Sequence, residues 1–199
     1  MLTEYSTYDD IRKFRDKAVA KSKYMMMEEG MRRLIGRKMT EWSLHNPGNR
    51  VPITKRFDID GQEVEFAVSP SEAKNGAIIP FSYVSSLFTY VETRKGRCLY
   101  EFHPYMIAIS SPHCLSRSRE RAISMQSAEI PQIHPYIRDG RKYELLTAGE
   151  NVFVCRRPEP DVLIYITLLT KDMCKSRNFQ EIFAQAGKDI DEHDIYVWK

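Results

Sequence analysis

The sequence lacks the long apolar runs and the short motifs that would assign a function directly. No stretch of the chain approaches the roughly 18 consecutive apolar residues that a membrane-spanning helix needs. It contains no P-loop, no Gly-x-Gly-x-x-Gly fingerprint, no His-Glu-x-x-His motif and no Gly-x-Ser-x-Gly elbow. These absences disfavour P-loop nucleotide hydrolysis, dinucleotide binding, zinc peptidase activity and serine hydrolysis. We therefore expect no cofactor and no membrane partner.

Cysteine is sparse, and no Cys-x-x-Cys pair is present among the four cysteines, which are Cys98, Cys114, Cys155 and Cys174. The first ten residues contain three carboxylates and no apolar core, so they do not resemble a signal peptide. Together these features predict four reduced thiols in a cytoplasmic protein. The spacings of Cys98 and Cys114 relative to His103, His113 and His134 match no zinc finger or ribbon, so we expect no metal.

The net charge of the chain, +3, is too small to establish a nucleic-acid partner by itself. The positive charge is nevertheless uneven along the sequence. Residues 1–45 carry ten Lys and Arg against seven Asp and Glu, and residues 111–157 carry eight against five. The excess of cations therefore lies at the amino end and in the middle of the chain.

The first 45 residues are predicted to be helical. Ser6 or Thr7 can cap the first helix. A second apolar series at helical spacing runs from Met27 to Trp42 and ends before Asn46-Pro47-Gly48-Asn49. Its methionine-rich beginning is typical either of core packing or of a soft surface that binds a protein partner or a second copy.

From residue 50 onward the pattern changes to strands and turns. Asp60-Gly61 and Arg94-Lys95-Gly96 predict two hairpins, and Pro158 to Asp161 joins a further pair of strands. Pro80 predicts that a short strand over residues 78–83 lies at an edge. A closing helix is predicted from Ser176 or Asn178 to Gly187. The predicted fold class is α+β, with an amino-terminal helical segment (1–45), a curved antiparallel sheet and flanking short helices. Residues 50–199 are predicted to form an α+β domain, and we expect the whole chain to form one compact unit.

The most informative stretch runs from Ser111 to Arg121. Ser110 or Ser111 can cap a helix, and Pro112 suits its first turn. In a helix, His113, Arg117 and Glu120 or Arg121 would project from one face, because their separations are four, three and four residues. An imidazole, guanidiniums and a carboxylate in one row predict a candidate catalytic site. We call these four residues the His/Arg/Glu row.

Such a row suits the cleavage of a phosphodiester. His113 would exchange protons, and the two arginines would bind phosphate oxygens and stabilise developing charge. Glu120 would orient an arginine or act as a second base. No metal is required by this chemistry, because attack by a ribose 2′-hydroxyl needs only proton transfer and charge stabilisation. Two structural alternatives stay open: a solvated face with weak ion pairs, and a buried network that ties the helix to a sheet.

The run His-x-x-x-Arg-x-x-Glu-Arg after a strand resembles a segment of uncharacterised phage and mobile-element proteins. In some of them a strand pair, a Thr-rich strand end and a Gln-containing helix follow. This chain has residues 149–155, residues 165–173 and Gln180 in that order, so the likeness covers about residues 103–185. A similar run occurs in small toxin-like ribonucleases with an α+β fold, although Cys114 and Ser118 stand where those sequences tend to carry aromatic or aliphatic residues.

Two further basic pairs are candidate nucleic-acid contacts. Arg156 and Arg157 follow a predicted strand, and Arg141 and Lys142 lie among tyrosines, a mixture that suits phosphate contact with base stacking. Arg156 and Arg157 are more typical of an exposed strand end, whereas Arg141 and Lys142 suit an ordinary surface hairpin or loop equally well. The sequence therefore predicts a nucleic-acid-contacting protein of mobile-element type that cleaves RNA through the His/Arg/Glu row. The alternative is a non-enzymatic binding or assembly protein, which docks or dimerises through its amino-terminal helices and uses the row structurally.

Overall fold

The computed structural model describes residues 1–46, 49–73, 76–120, 132–138, 141–148 and 151–170. For residues 119–120, 132–138, 141–142, 147–148, 151 and 170 it describes the backbone alone. These parts of the chain contain three helices and nine strands, so the predicted α+β class is confirmed. The chain divides into two compact units, Met1–Ala108 and Ile109–Lys199. Both amino-terminal helices fall within the first unit, together with the first strands.

The elements follow one another in a simple order. They are α1 (Tyr8–Met27), α2 (Glu29–Ser43), β1 (Ile53–Ile59), β2 (Gln62–Glu72), β3 (Ile78–Thr93), β4 (Gly96–Phe102), β5 (Ile107–Ser110), α3 (Pro112–Glu120), β6 (Gln132–Arg138), β7 (Arg141–Ala148), β8 (Asn151–Glu159) and β9 (Val162–Thr170). Every strand pair whose register is described is antiparallel. No helix within the described residues is long and apolar enough to cross a membrane.

Helix α1 begins at a capping box. The Thr7 hydroxyl accepts a hydrogen bond from the Asp10 amide at 3.2 Å, and Asp10 Oδ2 accepts one from the Thr7 amide at 3.0 Å. The inner face of the helix buries Ile11, Phe14 and Ala18. The Phe14 ring lies 5.5 Å from that of Phe102 on β4, so α1 packs against the sheet of the first unit.

Helix α2 is separated from α1 by the extended backbone of Glu28. Its buried face consists of Met31, Ile35 and Trp42, and the Trp42 indole donates a hydrogen bond to the Val51 carbonyl at 2.8 Å. Met27, in contrast, is 74% exposed. The methionine-rich stripe is thus core only from Met31 onward.

The strands of the first unit lie in the order β1-β2-β3-β4. The predicted Asp60-Gly61 hairpin is confirmed: both residues have positive φ, as the two central positions of a type I′ turn require. The hairpin at Arg94-Lys95 is also confirmed. The strand predicted over residues 78–83 is the first half of the longer β3, and β4 pairs with β3 only from Leu87 onward.

In the second unit, β9, β8, β7 and β6 are neighbours in that order. The predicted pair of strands around Pro158–Asp161 is confirmed as β8 and β9. The core of this unit includes Leu145, Leu146, Leu163 and Leu168, each at most 2% exposed. The helix predicted over residues 176–187 lies outside the described residues.

Candidate functional site

Helix α3 carries the first half of the His/Arg/Glu row, and Ser111 fixes its start. The Ser111 hydroxyl accepts a hydrogen bond from the Cys114 amide at 3.1 Å, so Ser111 is the N-cap of the two candidates, Ser110 and Ser111, that the sequence predicts. The same hydroxyl donates to the Ile166 carbonyl of β9 at 2.7 Å, and the Ser111 amide donates to the Tyr165 carbonyl at 2.9 Å. One residue thus both caps α3 and holds its beginning against β9.

The side chains of α3 divide into an inner and an outer set. Cys114 and Ser118, one helical turn apart, are 0% and 7% exposed. His113 is exposed and Arg117 is half-buried. Because successive residues of a helix are rotated by about 100°, His113 and Arg117 both lie on the flank beside this inner line. The structure therefore brings an accessible imidazole and a guanidinium onto the same side of one short helix.

The sheet beneath α3 presents a mixed polar and apolar face. Cys155 on β8 is paired with Glu144 on β7 and Tyr165 on β9, and cross-strand partners lie on the same face. Burial raises the pKa of the Cys155 thiol, and the nearby Cys114 of α3 raises it further. This face therefore points toward α3.

Arg157 also lies on this face, and it is engaged by a carboxylate. Its Nε and one terminal nitrogen donate to the two oxygens of Glu144 at 2.8 and 3.0 Å, and its other terminal nitrogen donates to the Pro160 carbonyl at 3.2 Å. Arg156 is exposed and follows Cys155 on the strand, so it points to the opposite face. The two arginines predicted as one basic pair therefore do not act on the same side of the sheet.

The buried thiols near α3 are poor nucleophiles. Burial raises the pKa of Cys114 to about 12 and that of Cys155 well above its ordinary value. Because their pKa values are raised, both thiols stay protonated near neutral pH. The thiolate is the reactive form of cysteine, so neither residue is a ready nucleophile. The described cysteines, Cys98, Cys114 and Cys155, are all free thiols. Cys114 is thus a packing residue of α3 rather than part of its chemistry.

The remaining predicted site residues are only partly described. The backbone of Glu120 ends α3. Only the backbone of this residue is described. Arg121 lies outside the described residues. Arg141 and Lys142 begin β7 opposite Arg138 and Ile137, and only their backbones are described.

Sequence reasoning missed three residues of this site, namely Ser111 in its contact with β9, Glu144 and Tyr165. Ser111 was identified as a cap, but a hydroxyl that also bonds a distant strand leaves no signal in local sequence. Glu144 and Tyr165 reach the site only through the register of β7, β8 and β9, which spacing along the chain does not encode. Among the residues that the structure describes, no group of three or more His, Cys, Asp or Glu side chains could hold a metal ion.

Comparisons with models of protein families, with curated proteins and with solved structures find no match to this chain. The site must therefore be interpreted from its own geometry.

Proposed function

We propose that this protein binds RNA and cleaves it by attack of a ribose 2′-hydroxyl on the adjacent phosphorus, with the His/Arg/Glu row as its catalytic site. The observation that supports the proposal is the placement of His113, which is exposed on a helix that also carries a half-buried Arg117 one turn away. The remaining members of the row, Glu120 and Arg121, enter the proposal from the sequence.

The chemistry assigns each member of the row a role. The bond between the 2′-oxygen and phosphorus forms as the bond between phosphorus and the 5′-oxygen breaks, which leaves a 2′,3′-cyclic phosphate and a 5′-hydroxyl. One group removes the proton of the 2′-hydroxyl, and another gives a proton to the departing 5′-oxygen. His113 performs one of these transfers and Glu120 the other. Arg117 and Arg121 neutralise the charge that grows on the non-bridging oxygens.

The local fold supplies the rigidity that such a site needs. Catalytic groups must be held close to their productive geometry, and sites built on anchored helices meet this demand better than sites on loops. Ser111 fixes the start of α3 to β9, and Cys114 and Ser118 bury its inner line. His113, at the second residue of the helix, is thus attached to the best-anchored turn.

The test is RNA cleavage by purified His113→Ala and Arg117→Ala proteins, in buffer with a chelator of divalent metals. We expect each variant to remain folded at the assay temperature and to lose cleavage by about 10²- to 10⁴-fold. His45→Ala is the matched control, because His45 is also an exposed histidine near a helix end. A substrate with one 2′-deoxyribose at the scissile position should resist cleavage entirely.

The competing function is a non-enzymatic binding or assembly protein in which the row is a structural network. That alternative predicts intact RNA even with stoichiometric wild-type protein, and Glu120→Ala would then lower the free energy of unfolding by about 1–3 kcal/mol through an unpaired buried cation. Undiminished cleavage by His113→Ala would also end the catalytic proposal.

A further inference from the structure

We propose that the solvent-facing side of α2 is a second RNA-binding surface, which holds the phosphate backbone. We call this surface the α2 outer face, and it consists of Arg32, Arg33, Gly36, Arg37 and Thr40. All five residues are exposed. The inference takes RNA as its ligand from the proposed function, but it concerns binding and not the cleavage step.

Helical periodicity creates this surface. Met31, Ile35 and Trp42 are buried against the first unit, so residues on the other side of the same turns must face solvent. Arg33 and Arg37 are one turn apart, with Arg32 beside them. Three guanidiniums therefore share one side of two consecutive helical turns.

The cations of this surface are available to a ligand. Arg32 and Arg37 have no ion-pair partner among the described residues. Arg33 pairs with Glu29, but the two side chains are 75% and 69% exposed, and pairs this exposed contribute little and exchange readily. Lys38, on the flank of the helix, is paired with Glu41 at 2.6 Å and is not counted here.

Gly36 gives the surface its shape. A Cβ at this position would meet no atom within 4 Å, so nothing inside the protein requires glycine there. Glycine in a helix interior is nevertheless unfavourable by about 1 kcal/mol relative to alanine. Its effect is to leave the helix backbone uncovered between Arg33 and Arg37. A phosphate chain can therefore approach closely while the arginines reach around it.

The composition of the surface favours a nucleic-acid backbone over other acidic partners. The α2 outer face itself consists of three arginines, a glycine and a threonine, and one exposed apolar side chain, Leu44, follows at the end of the helix. Protein interfaces depend on clusters of buried aromatic and aliphatic side chains, and membrane-surface helices insert a whole row of apolar residues. Backbone binding requires only cations at short range, and guanidiniums bind phosphate oxygens in pairs. A single-stranded RNA segment is the ligand that this chemistry fits.

The first experiment measures binding of a fluorescent 20-nucleotide single-stranded RNA to the full-length His113→Ala protein, so that cleavage does not interfere. Adding Arg32→Ala and Arg37→Ala should weaken binding by about 10-fold or more at low salt. It should also reduce the magnitude of the slope of log association constant against log salt concentration by about 1.4. Two phosphate contacts are lost, and each contact with a single strand contributes about 0.7 to this slope. The double change Lys23→Ala and Lys55→Ala removes the same charge from exposed positions elsewhere and serves as the control.

The second experiment uses Gly36→Gln, which covers the open backbone with an uncharged side chain of good helix propensity. We expect a higher melting temperature together with RNA binding that is weakened by about 3- to 10-fold. Unchanged affinity in both the arginine and the glycine variants overturns the inference. If the wild-type protein does not cleave RNA but its RNA affinity depends on Arg32 and Arg37, the catalytic proposal is refuted and the RNA-binding role of the α2 outer face is supported. If the wild-type protein cleaves RNA but its affinity does not depend on these arginines, the catalytic proposal is supported and the role of the α2 outer face is refuted.

Discussion

Glu144 and Arg157 join adjacent strands β7 and β8 through two parallel hydrogen bonds, of 2.8 and 3.0 Å, between a carboxylate and a guanidinium. Each side chain is only 24% exposed. This geometry is the strongest form of ion pair in proteins, because both donors of the planar fork are matched. The pair lies on the sheet face that points toward α3. It therefore stabilises the strands against which the proposed catalytic helix packs.

Replacement of Glu144 by glutamine should therefore destabilise the protein. The guanidinium of Arg157 would remain half-buried without its counter-charge, and we expect a loss of about 1–2 kcal/mol in the free energy of unfolding. Denaturant titration followed by circular dichroism measures this loss. Glu92→Gln is the matched control, because Glu92 faces Arg97 across β3 and β4 in a cross-strand pair that is 68% and 57% exposed. The control should change stability by less than about 0.5 kcal/mol; equal effects would show that the burial of the Glu144 pair is unimportant.

Ser111→Ala should lower both stability and RNA cleavage. The substitution removes the acceptor for the Cys114 amide and the donor to the Ile166 carbonyl, so we expect a cost of about 1–2 kcal/mol. The first turn of α3 would fray, and His113 would lose its fixed position. Cleavage measured well below the melting temperature should fall, whereas Ser111→Thr, which keeps the hydroxyl, should retain most of it. Full activity in Ser111→Ala would mean that the cap does not position His113.

Local patterns in the sequence predicted the parts of the fold that short-range forces determine. The sequence predicts a cap at Ser6 or Thr7, a turn at Asp60-Gly61 and a cap at Ser110 or Ser111, because only certain residues satisfy these backbone conformations. The structure has Thr7 and Ser111 as the caps and confirms the turn. The junction between α1 and α2 lies at Glu28, whose backbone is extended, and the helical spacing of the apolar residues on either side does not mark this position.

The site was predictable only along its own helix. His113 and Arg117 were placed correctly on α3, since helical spacing alone relates them. The ion pair between Arg157 and Glu144 could not be predicted from the sequence. The two residues are 13 positions apart along the chain, and they meet only because of the register between β7 and β8. Register is set by which side chains the whole sheet buries, and that is a property of the assembled core.

The buried thiols predict how the protein behaves at alkaline pH. A raised pKa means that the folded state holds the thiol proton more tightly than the unfolded state does. The contribution of Cys114 to the free energy of unfolding is therefore complete below the ordinary thiol pKa of 9.0. It is lost as the pH rises toward the folded-state pKa of about 12. The melting temperature of the wild type should therefore fall above about pH 9, and it should fall less steeply in Cys114→Ala. Alkylation by iodoacetamide at about pH 8 should reach Cys114 and Cys155 only after unfolding. Rapid labelling of Cys114 in the folded protein would contradict the burial of this side chain.

The capping box of α1 predicts the opposite dependence at acid pH. Hydrogen bonds from the Thr7 hydroxyl and amide hold the pKa of Asp10 below its ordinary value of 3.8. The folded state thus prefers the carboxylate, so the stabilising contribution is present above the ordinary pKa and is lost as pH falls through the lower folded-state value. Asp10→Asn should lower the melting temperature near neutral pH, and the difference from wild type should shrink once the pH falls below about 4. Asp16→Asn removes a carboxylate of the same helix outside the capping box and serves as the control for the loss of one negative charge. A constant difference between wild type and Asp10→Asn across this range would show that the charge of Asp10 does not contribute to the cap.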